Sequence, residues 1–354
     1  MIKVKEPPTD KTKSIDFPST PAISSSLQRD IAAAVRQLQK GGTVVFPTET
    51  VYGLGADISI PSAVEQIFEI KGRPKNHPLI VHFGHASQLQ YWAHEIPESA
   101  WKLAANFWPG PLTLILKRSK HVPPIVTGGQ NTVGLRIPNH PVALALLHAL
   151  GAKTALAAPS ANRFGRISPT TAAHAKDELG QSVNLILDGG PCQVGLESTI
   201  VSFTNETATV LRPGGIPISA LETVLNKKIP VVKSNQLTTP APGTLASHYA
   251  PATPLELCPA QKIWHHAYHL STLNLSVAVI TWSVSTPNHN NHNNIVQFSM
   301  PQEPTAYGNQ LYATLRQFDQ QGFDRLVIET PPDNPAWLTI LDRLRRASQT
   351  KIQL

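Results

Sequence analysis

Residues 61–81 read P-S-A-V-E-Q-I-F-E-I-K-G-R-P-K-N-H-P-L-I-V, and three structural signals follow one another within them. Pro61 opens a helix whose Val64, Ile67 and Phe68 share one face. Leu79-Ile80-Val81 is a short buried strand. Between them, Lys71-Gly72-Arg73-Pro74-Lys75-Asn76-His77 packs three cations and a histidine into seven residues. The glycine and the flanking prolines make this a shaped loop and not a charged helix face. Such a loop can hold several phosphate oxygens, with the arginine supplying a planar fork. A solvated basic turn is the plainer alternative.

The same alternation extends outward on both sides. Ser24-Ser25-Ser26 can cap a helix through Ile31, Ala34, Val35 and Leu38, stopped by Gly41-Gly42, and Thr43 to Phe46 is a strand ended by Pro47. Further on, a helix spans Trp101 to Phe107, and strands run over Leu112 to Lys117 and Thr132 to Ile137. Pro141 opens a helix that ends at Gly151, and Thr154 to Ala158 is a strand. Ser168-Pro169-Thr170 reads as a helix start with Ser168 capping. Leu185-Ile186-Leu187, Ser198 to Phe203 and Ala208 to Leu211 read as strands. The fold class is α/β, and the irregular element order argues against a simple doubly wound sheet; the twisted, open, mixed sheet expected here is what the family resemblance described below implies.

At 354 residues the chain is long enough for two domains. The expected divisions are a leader over 1–25, a main domain over 26–226, a linker over 227–254 and a smaller α/β domain over 255–354, which the family resemblance described below implies to be a catalytic domain and a Rossmann-like one. The linker carries T-T-P-A-P-G (Thr238 to Gly243). The smaller domain contains the strands Val277 to Ile280 and Leu326 to Ile328 and a polar run, Pro287 to Asn294, that reads as a loop. The net charge of +7 favours anionic partners such as nucleotides or RNA. Two cysteines make neither a disulfide framework nor a zinc site and fit a reducing compartment. Residues 1–20 lack the apolar core of a secretory signal, and no apolar run approaches a membrane span, so a cytoplasmic protein without membrane attachment is expected.

No G-x-x-x-x-G-K-[ST] phosphate loop is present, and Gly53-Leu54-Gly55 lacks the third glycine of a dinucleotide fingerprint. A bound triphosphate would therefore be held by side chains and scattered hydroxyls. No G-x-S-x-G elbow points to a serine hydrolase, and His265 and His269 lack the glutamate of an H-E-x-x-H site. Small polar motifs cluster at strand ends, where α/β sites form.

Taken in order, these motifs resemble the YrdC-like family of threonylcarbamoyl-AMP synthases in its long, two-domain form. The matching stretches are P-T-E-T-V-Y-G-L-G (Pro47 to Gly55), K-G-R-P-K-N-H-P-L (Lys71 to Leu79), F-W-P-G-P-L-T (Phe107 to Thr113) and T-V-G-L-R-I-P (Thr132 to Pro138). They continue with A-P-S-A-N (Ala158 to Asn162), S-P-T (Ser168 to Thr170), E-S-T-I-V (Glu197 to Val201), L-R-P-G (Leu211 to Gly214) and the linker's H-Y-A-P (His248 to Pro251). The resemblance implies an enzyme that combines L-threonine, bicarbonate and ATP into threonylcarbamoyl-adenylate, releasing pyrophosphate. A separate tRNA threonylcarbamoyltransferase would consume the product beside the anticodon.

It also implies roles. Thr50, His82, Arg136, Ala158 and Ser198 would contact threonine, with Arg136 on its carboxylate. Lys71, Arg73, His77, Thr132, Ser160, Asn162, Ser168 and Arg212 would contact ATP, and His248 and Tyr249 would reach over the nucleotide. Catalysis would rest on positioning and charge, chiefly from Lys71 and Arg73. Thr244-Leu245-Ala246-Ser247 is less basic than many family members at that place, which weighs against phosphate contacts there. Mg²⁺ is expected with the triphosphate, with no protein ligand for it identifiable in the sequence. Two alternatives stand beside this: an RNA-binding module that uses a basic face, and a carbamoyltransferase of the same fold, whose zinc-finger cysteines this chain lacks.

Overall fold

The structure is a computed structural model that describes residues 24–205, 207–232, 242–243, 248–283 and 294–349. Most of the expected leader, most of the linker including residues 244–247, and the polar run at 287–293 lie outside the described residues.

Nine strands form one mixed sheet: β1 (Val44–Phe46), β2 (Gly53–Asp57), β3 (Ile80–His82), β4 (Ala93–His94), β5 (Leu112–Arg118), β6 (Thr132–Arg136), β7 (Leu156–Ala157), β8 (Thr199–Asn205) and β9 (Thr207–Arg212). Their order is β1-β2-β7-β3-β6-β5-β8-β9, with β4 paired to β5. Only β3/β6 and β5/β8 are parallel. This is the open mixed sheet that the family resemblance implies.

The helices form where the sequence places caps. Ser24 caps Ser25–Gln39, and His140 accepts the Val142 amide ahead of Pro141–Leu150. Gly72 ends Pro61–Lys71 in the left-handed conformation, at φ +61°. β2 escapes a sequence reading because G-L-G-A-D has little strand propensity. It forms because its glycines admit the Phe46 ring. A Cβ on Gly55 would stand 2.8 Å from that ring, and one on Gly53 would meet it at 3.4 Å.

Two expectations need correction. Ser168 does not start a helix, because the helix is Ala172–Leu179 and Thr171 caps it. Pro169 instead gives its carbonyl to the Tyr52 amide. Leu185 to Leu187 does not form a strand of its own. It makes one bridge, Ile186 to Val45, through two backbone hydrogen bonds with Val45.

The two faces of the sheet are covered differently. One face packs Val81, Leu114, Leu116, Leu135 and Val201 against Val64, Ile67, Trp101, Leu103 and Leu221 of three helices. The opposite face is covered by Ser25–Gln39 and Pro141–Leu150 only at its β1–β2–β7 end, where Leu38, Leu146 and Leu147 meet Phe46, Leu156 and Ala158. Farther along the same face, Ile80, Ile115 and Ile200 form a small cluster with Leu211, and no helical residue joins it. A sheet face without a helix is a place for a ligand.

The chain divides into two units. The first runs to Phe164 and resumes at Pro169. The second joins Gly165–Ser168 to the described residues from His248 on. Its sheet has four parallel strands, β10 (Leu255–Cys258), β11 (Val277–Thr281), β12 (Ile295–Ser299) and β13 (Arg325–Glu329), in the order β10-β13-β11-β12. Parallel strands joined by the helices Ile263–Thr272 and Pro304–Gln320 make it Rossmann-like. Residues 165–168 fall within the first domain by sequence but pack in this second unit. Arg166 pairs with Asp319 at 2.9 Å, Arg316 Nη2 donates to the Ile167 carbonyl at 2.6 Å, and the Ala250 amide donates to the Gly165 carbonyl.

Gly214 tests the close approach of two functional motifs. A Cβ there would lie 2.3 Å from the Ser198 carbonyl carbon, so L-R-P-G can pack on E-S-T only through a glycine. Gly214→Ala is expected to destabilise the first unit by about 2 kcal/mol through overpacking. Thermal unfolding should show a fall in Tm of roughly 4–8 °C.

Candidate active site

The strand ends that carry the motifs meet on the helix-free face. Phe46 is followed by the loop Pro47 to Tyr52, which holds Thr48, Glu49 and Thr50. His82 ends β3, and Arg136 ends β6 directly beside it in the parallel register. Thr113 of β5 and Ser198, just before β8, approach from the other side, their hydroxyl oxygens 2.8 Å apart. Gly134 leaves the middle of the face low, since its Cβ position lies between Thr113 (3.3 Å) and Ile80 (3.6 Å).

Arg136 is the centre of this end. Its Nη2 lies 2.8 Å from Glu49 Oε1, an ion pair whose side chains are only 5% and 4% exposed. Nη2 also donates to Thr50 Oγ1 at 2.8 Å. Nε is sealed and meets no acceptor among the described residues, and Nη1 meets none there either. The hydroxyls around it are directed. Thr48 gives its hydrogen to the Val51 carbonyl, so in its contact with Thr48 it is Thr50 that donates. That leaves Thr50 Oγ1 as an acceptor.

His82 stays neutral. Burial, then the Arg136 charge, pulls its pKa down to about 3. Its Nδ1 faces the Ile80 carbonyl at 3.3 Å, and a carbonyl can only accept, so Nδ1 carries the proton and Nε2 keeps a lone pair. Ala158 uses its amide on the Ile80 carbonyl, so only its own carbonyl remains for a ligand.

The basic loop lies toward the other end of the same strands. Lys71 is buried at the end of Pro61–Lys71, and its Nζ donates to the carbonyls of Ser160, at 2.6 Å, and Asn162. Burial first, and the neighbouring Arg73 second, hold its pKa well below the usual lysine range. Arg73 Nη2 donates to the Pro78 carbonyl, and its guanidinium sits over the Phe164 ring at 5.5 Å. His77 meets the same ring edge-on at 5.4 Å, and burial and Arg73 lower its pKa. Asn76 packs its backbone against Gly128, where a Cβ would come within 2.5 Å.

Thr132 begins β6, two residues before Gly134, which pairs with Ile80 at the start of β3, so it stands at the opposite end of β6 from Arg136. Four residues of strand, about 13 Å, separate it from Arg136. Thr132 also lines a pocket of about 480 Å³ with Lys117, Arg118 and Asn131. Arg136 and Thr132 thus mark the two ends of β6 on this face.

The other expected residues lie as follows. Arg212 brackets Ser198, donating to its carbonyl at 2.8 Å and its hydroxyl at 3.1 Å, and its Nη1 donates to the Pro242 carbonyl. Ser168 is buried in the second unit. Tyr249 is also in that unit, with φ +62°, its ring stacked on Tyr312 and capped by Arg343 at 5.0 Å. His248 meets the Tyr249 ring edge-on at 4.1 Å. Sequence reasoning gave no role to Glu49, Thr113 or Phe164. Each sits in or beside a quoted motif, but its significance appears only with its spatial partner. Among the described residues no group of three or more His, Cys, Asp or Glu side chains is placed to hold a metal ion. No described helix is long and apolar enough to cross a membrane.

Comparison with known proteins gives a consistent picture. A family model described as "Telomere recombination", of the Sua5, YciO and YrdC group, matches residues 36–214. A second, "Threonylcarbamoyl-AMP synthase, C-terminal domain", matches residues 216–349. The threonylcarbamoyl-AMP synthase of Pyrococcus abyssi is 37% identical, over 91% of this chain and 95% of that protein. The Bacillus subtilis enzyme of the same name is 39% identical, over 91% and 94%. The crystal structure of P. abyssi Sua5 complexed with L-threonine superposes with a TM-score of 0.81 at 36% identity, covering 90% of this chain and 94% of that one. A P. abyssi variant with a histidine and the tyrosine after it replaced by alanine superposes equally well.

Lys71 provides a test that needs no substrate. Its pKa is depressed in the fold from an ordinary value of 10.5. Between the two values the unfolded chain holds a proton that the folded chain releases, so stability rises with pH across that interval and is lost as pH falls toward the folded pKa. Lys71→Met should remove this slope. Denaturant unfolding of both proteins from pH 7 to 10 measures it, and parallel curves would contradict the assignment.

Proposed function

The chain belongs to the YrdC-like family of threonylcarbamoyl-AMP synthases, and on that premise we propose that it condenses L-threonine, bicarbonate and ATP into threonylcarbamoyl-adenylate and pyrophosphate. One observation supports this reading above the others. Thr50, His82 and Arg136 meet at the ends of β3 and β6, Ser198 stands just before β8, and Lys71 and Arg73 lie toward the other end of β3, beside Ser160 and Pro78.

In this reading Arg136 receives the threonine carboxylate through Nη1, the nitrogen left without a protein acceptor. The neutral His82 offers an Nε2 lone pair, and Thr50 and Ser198 offer hydroxyl oxygens, to the ammonium and the side-chain hydroxyl. A site whose buried polar groups are matched to a hydroxyl rejects the analogue that lacks one. Ala158 contributes its carbonyl.

The chemistry then needs little acid–base machinery. The free amine adds to bicarbonate carbon and water leaves, giving a carbamate. A carbamate oxygen attacks the α-phosphorus of ATP, and the bond to the β-phosphate oxygen breaks. The chain's contribution is to hold the carbamate oxygen in line with that bond and to place Arg73, Lys71 and His77 where charge grows on the phosphates. Thr132, Ser160, Asn162, Ser168 and Arg212 complete the nucleotide contacts. Mg²⁺ would accompany ATP and help neutralise the charge on its phosphates.

His248 and Tyr249 are proposed to complete the nucleotide site. This chain has one consecutive His-Tyr pair, these two residues, and it is such a pair that the P. abyssi variant alters. The product is consumed by a tRNA threonylcarbamoyltransferase, and the net charge of +7 supports an affinity for RNA. A cytoplasmic location follows from that role.

Pyrophosphate release should require threonine and bicarbonate together. Arg73→Ala should lower kcat/KM at least about tenfold, on the order of 1.4 kcal/mol. ATP turnover independent of threonine and bicarbonate would overturn the assignment.

A further inference from the structure

The threonine seat contains a buried carboxylate that the reaction does not use. We propose that Glu49 is a positioning residue: it fixes Arg136 so that Nη1 faces the substrate carboxylate, and so governs affinity for threonine and not turnover. The proposal rests on the function argued above.

Four observations carry it. Glu49 Oε1 lies 2.8 Å from Arg136 Nη2, with both side chains sealed from solvent. Glu49 Oε2 accepts the Asn139 amide at 3.0 Å, so one carboxylate holds both the Arg136 side chain and the backbone just after β6. The Glu49 backbone is itself held, because its carbonyl accepts the Val194 amide at 2.7 Å. Thr48 Oγ1 ties the loop shut by accepting the amides of Thr50 and Val51. The carboxylate therefore cannot follow a moving guanidinium. With Nη2 also bonded to Thr50 and Nε buried, Arg136 has one direction left.

The groups around Glu49 leave this pair as the charged element of its surroundings. They are Arg136, His140 and Cys192. Burial lowers the His140 pKa, and burial followed by the Glu49 charge raises the Cys192 thiol to about 12, so both stay neutral near pH 7. A carboxylate beside Arg136 opposes a second one electrostatically. What Glu49 adds is direction and the compensation of a buried cation.

The test compares Glu49→Gln and Glu49→Asp in pyrophosphate release, with threonine and ATP varied separately. The Gln amide has one oxygen and can satisfy Arg136 or Asn139, not both. Its threonine KM should rise about tenfold or more, while kcat at saturating threonine and the ATP KM stay within about twofold. Asp keeps the charge but withdraws it by one methylene, so its threonine KM should rise less, roughly threefold. A Gln variant with the wild-type threonine KM would overturn the proposal. So would a parallel loss of kcat and both KM values, which marks a merely structural residue. If Glu49→Gln does not fold, Glu49→Asp decides, and an unchanged threonine KM there overturns the proposal. An active wild-type enzyme with an unaffected variant rejects only the role of Glu49. A wild type without threonine-dependent release rejects the proposed function instead.

Discussion

A guanidinium buried at the end of a strand cannot stay there without an anion, because removing a lone charge from water costs several kcal/mol. The Arg136–Glu49 pair meets that constraint, and much of the first unit is arranged around it. Glu49 sits in a loop between β1 and β2, and that loop is wrapped by the segment from Asp188 to Ser198. Tyr52 donates to the Gly190 carbonyl, and the Val194 amide donates to the Glu49 carbonyl. The same segment runs into Ser198 and β8. One ion pair thus joins the start of the sheet, its middle and its far side, at the place proposed above for the small substrate.

The proposed nucleotide end follows a different electrostatic logic. Burial first, and then the charge of Arg73, depress the Lys71 pKa, and the surrounding backbone carbonyls hold both side chains in place. Polyphosphate would relieve this like-charge crowding. Electrostatic stabilisation of this kind depends on groups already in position before charge develops. Phe164 serves that purpose by carrying both Arg73 and His77 on one ring.

The open face between the two ends is a matter of layer covering. The helices Ser25–Gln39 and Pro141–Leu150 shield β1, β2 and β7, and they leave β3, β6, β5 and β8 with Ile80, Ile115 and Ile200 as an apolar floor. Gly134 keeps that floor low. In the proposed reading, the strand from Arg136 toward Thr132 separates the amino-acid end from the nucleotide end.

The sequence by itself determined the α/β class, the irregular order of elements, the second small α/β domain and the basic loop at Lys71 to His77. These follow from local chemistry: apolar periodicity, caps such as Ser24, and breakers such as Gly72 and Pro74. The motif resemblance also singled out Thr50, His82 and Arg136, which the structure brings together. Only the tertiary structure decided that G-L-G-A-D is a strand, because that depends on fitting the Phe46 ring. It decided that Ser168 does not cap a helix, because the Pro169 carbonyl is drawn to Tyr52, and that residues 165–168 pack with the second unit through Arg166 and Asp319. It also decided the place of Glu49. A carboxylate shows itself as buried and structural only when its cation is known, and here that cation lies three strands beyond β2 in the sheet and far along the chain.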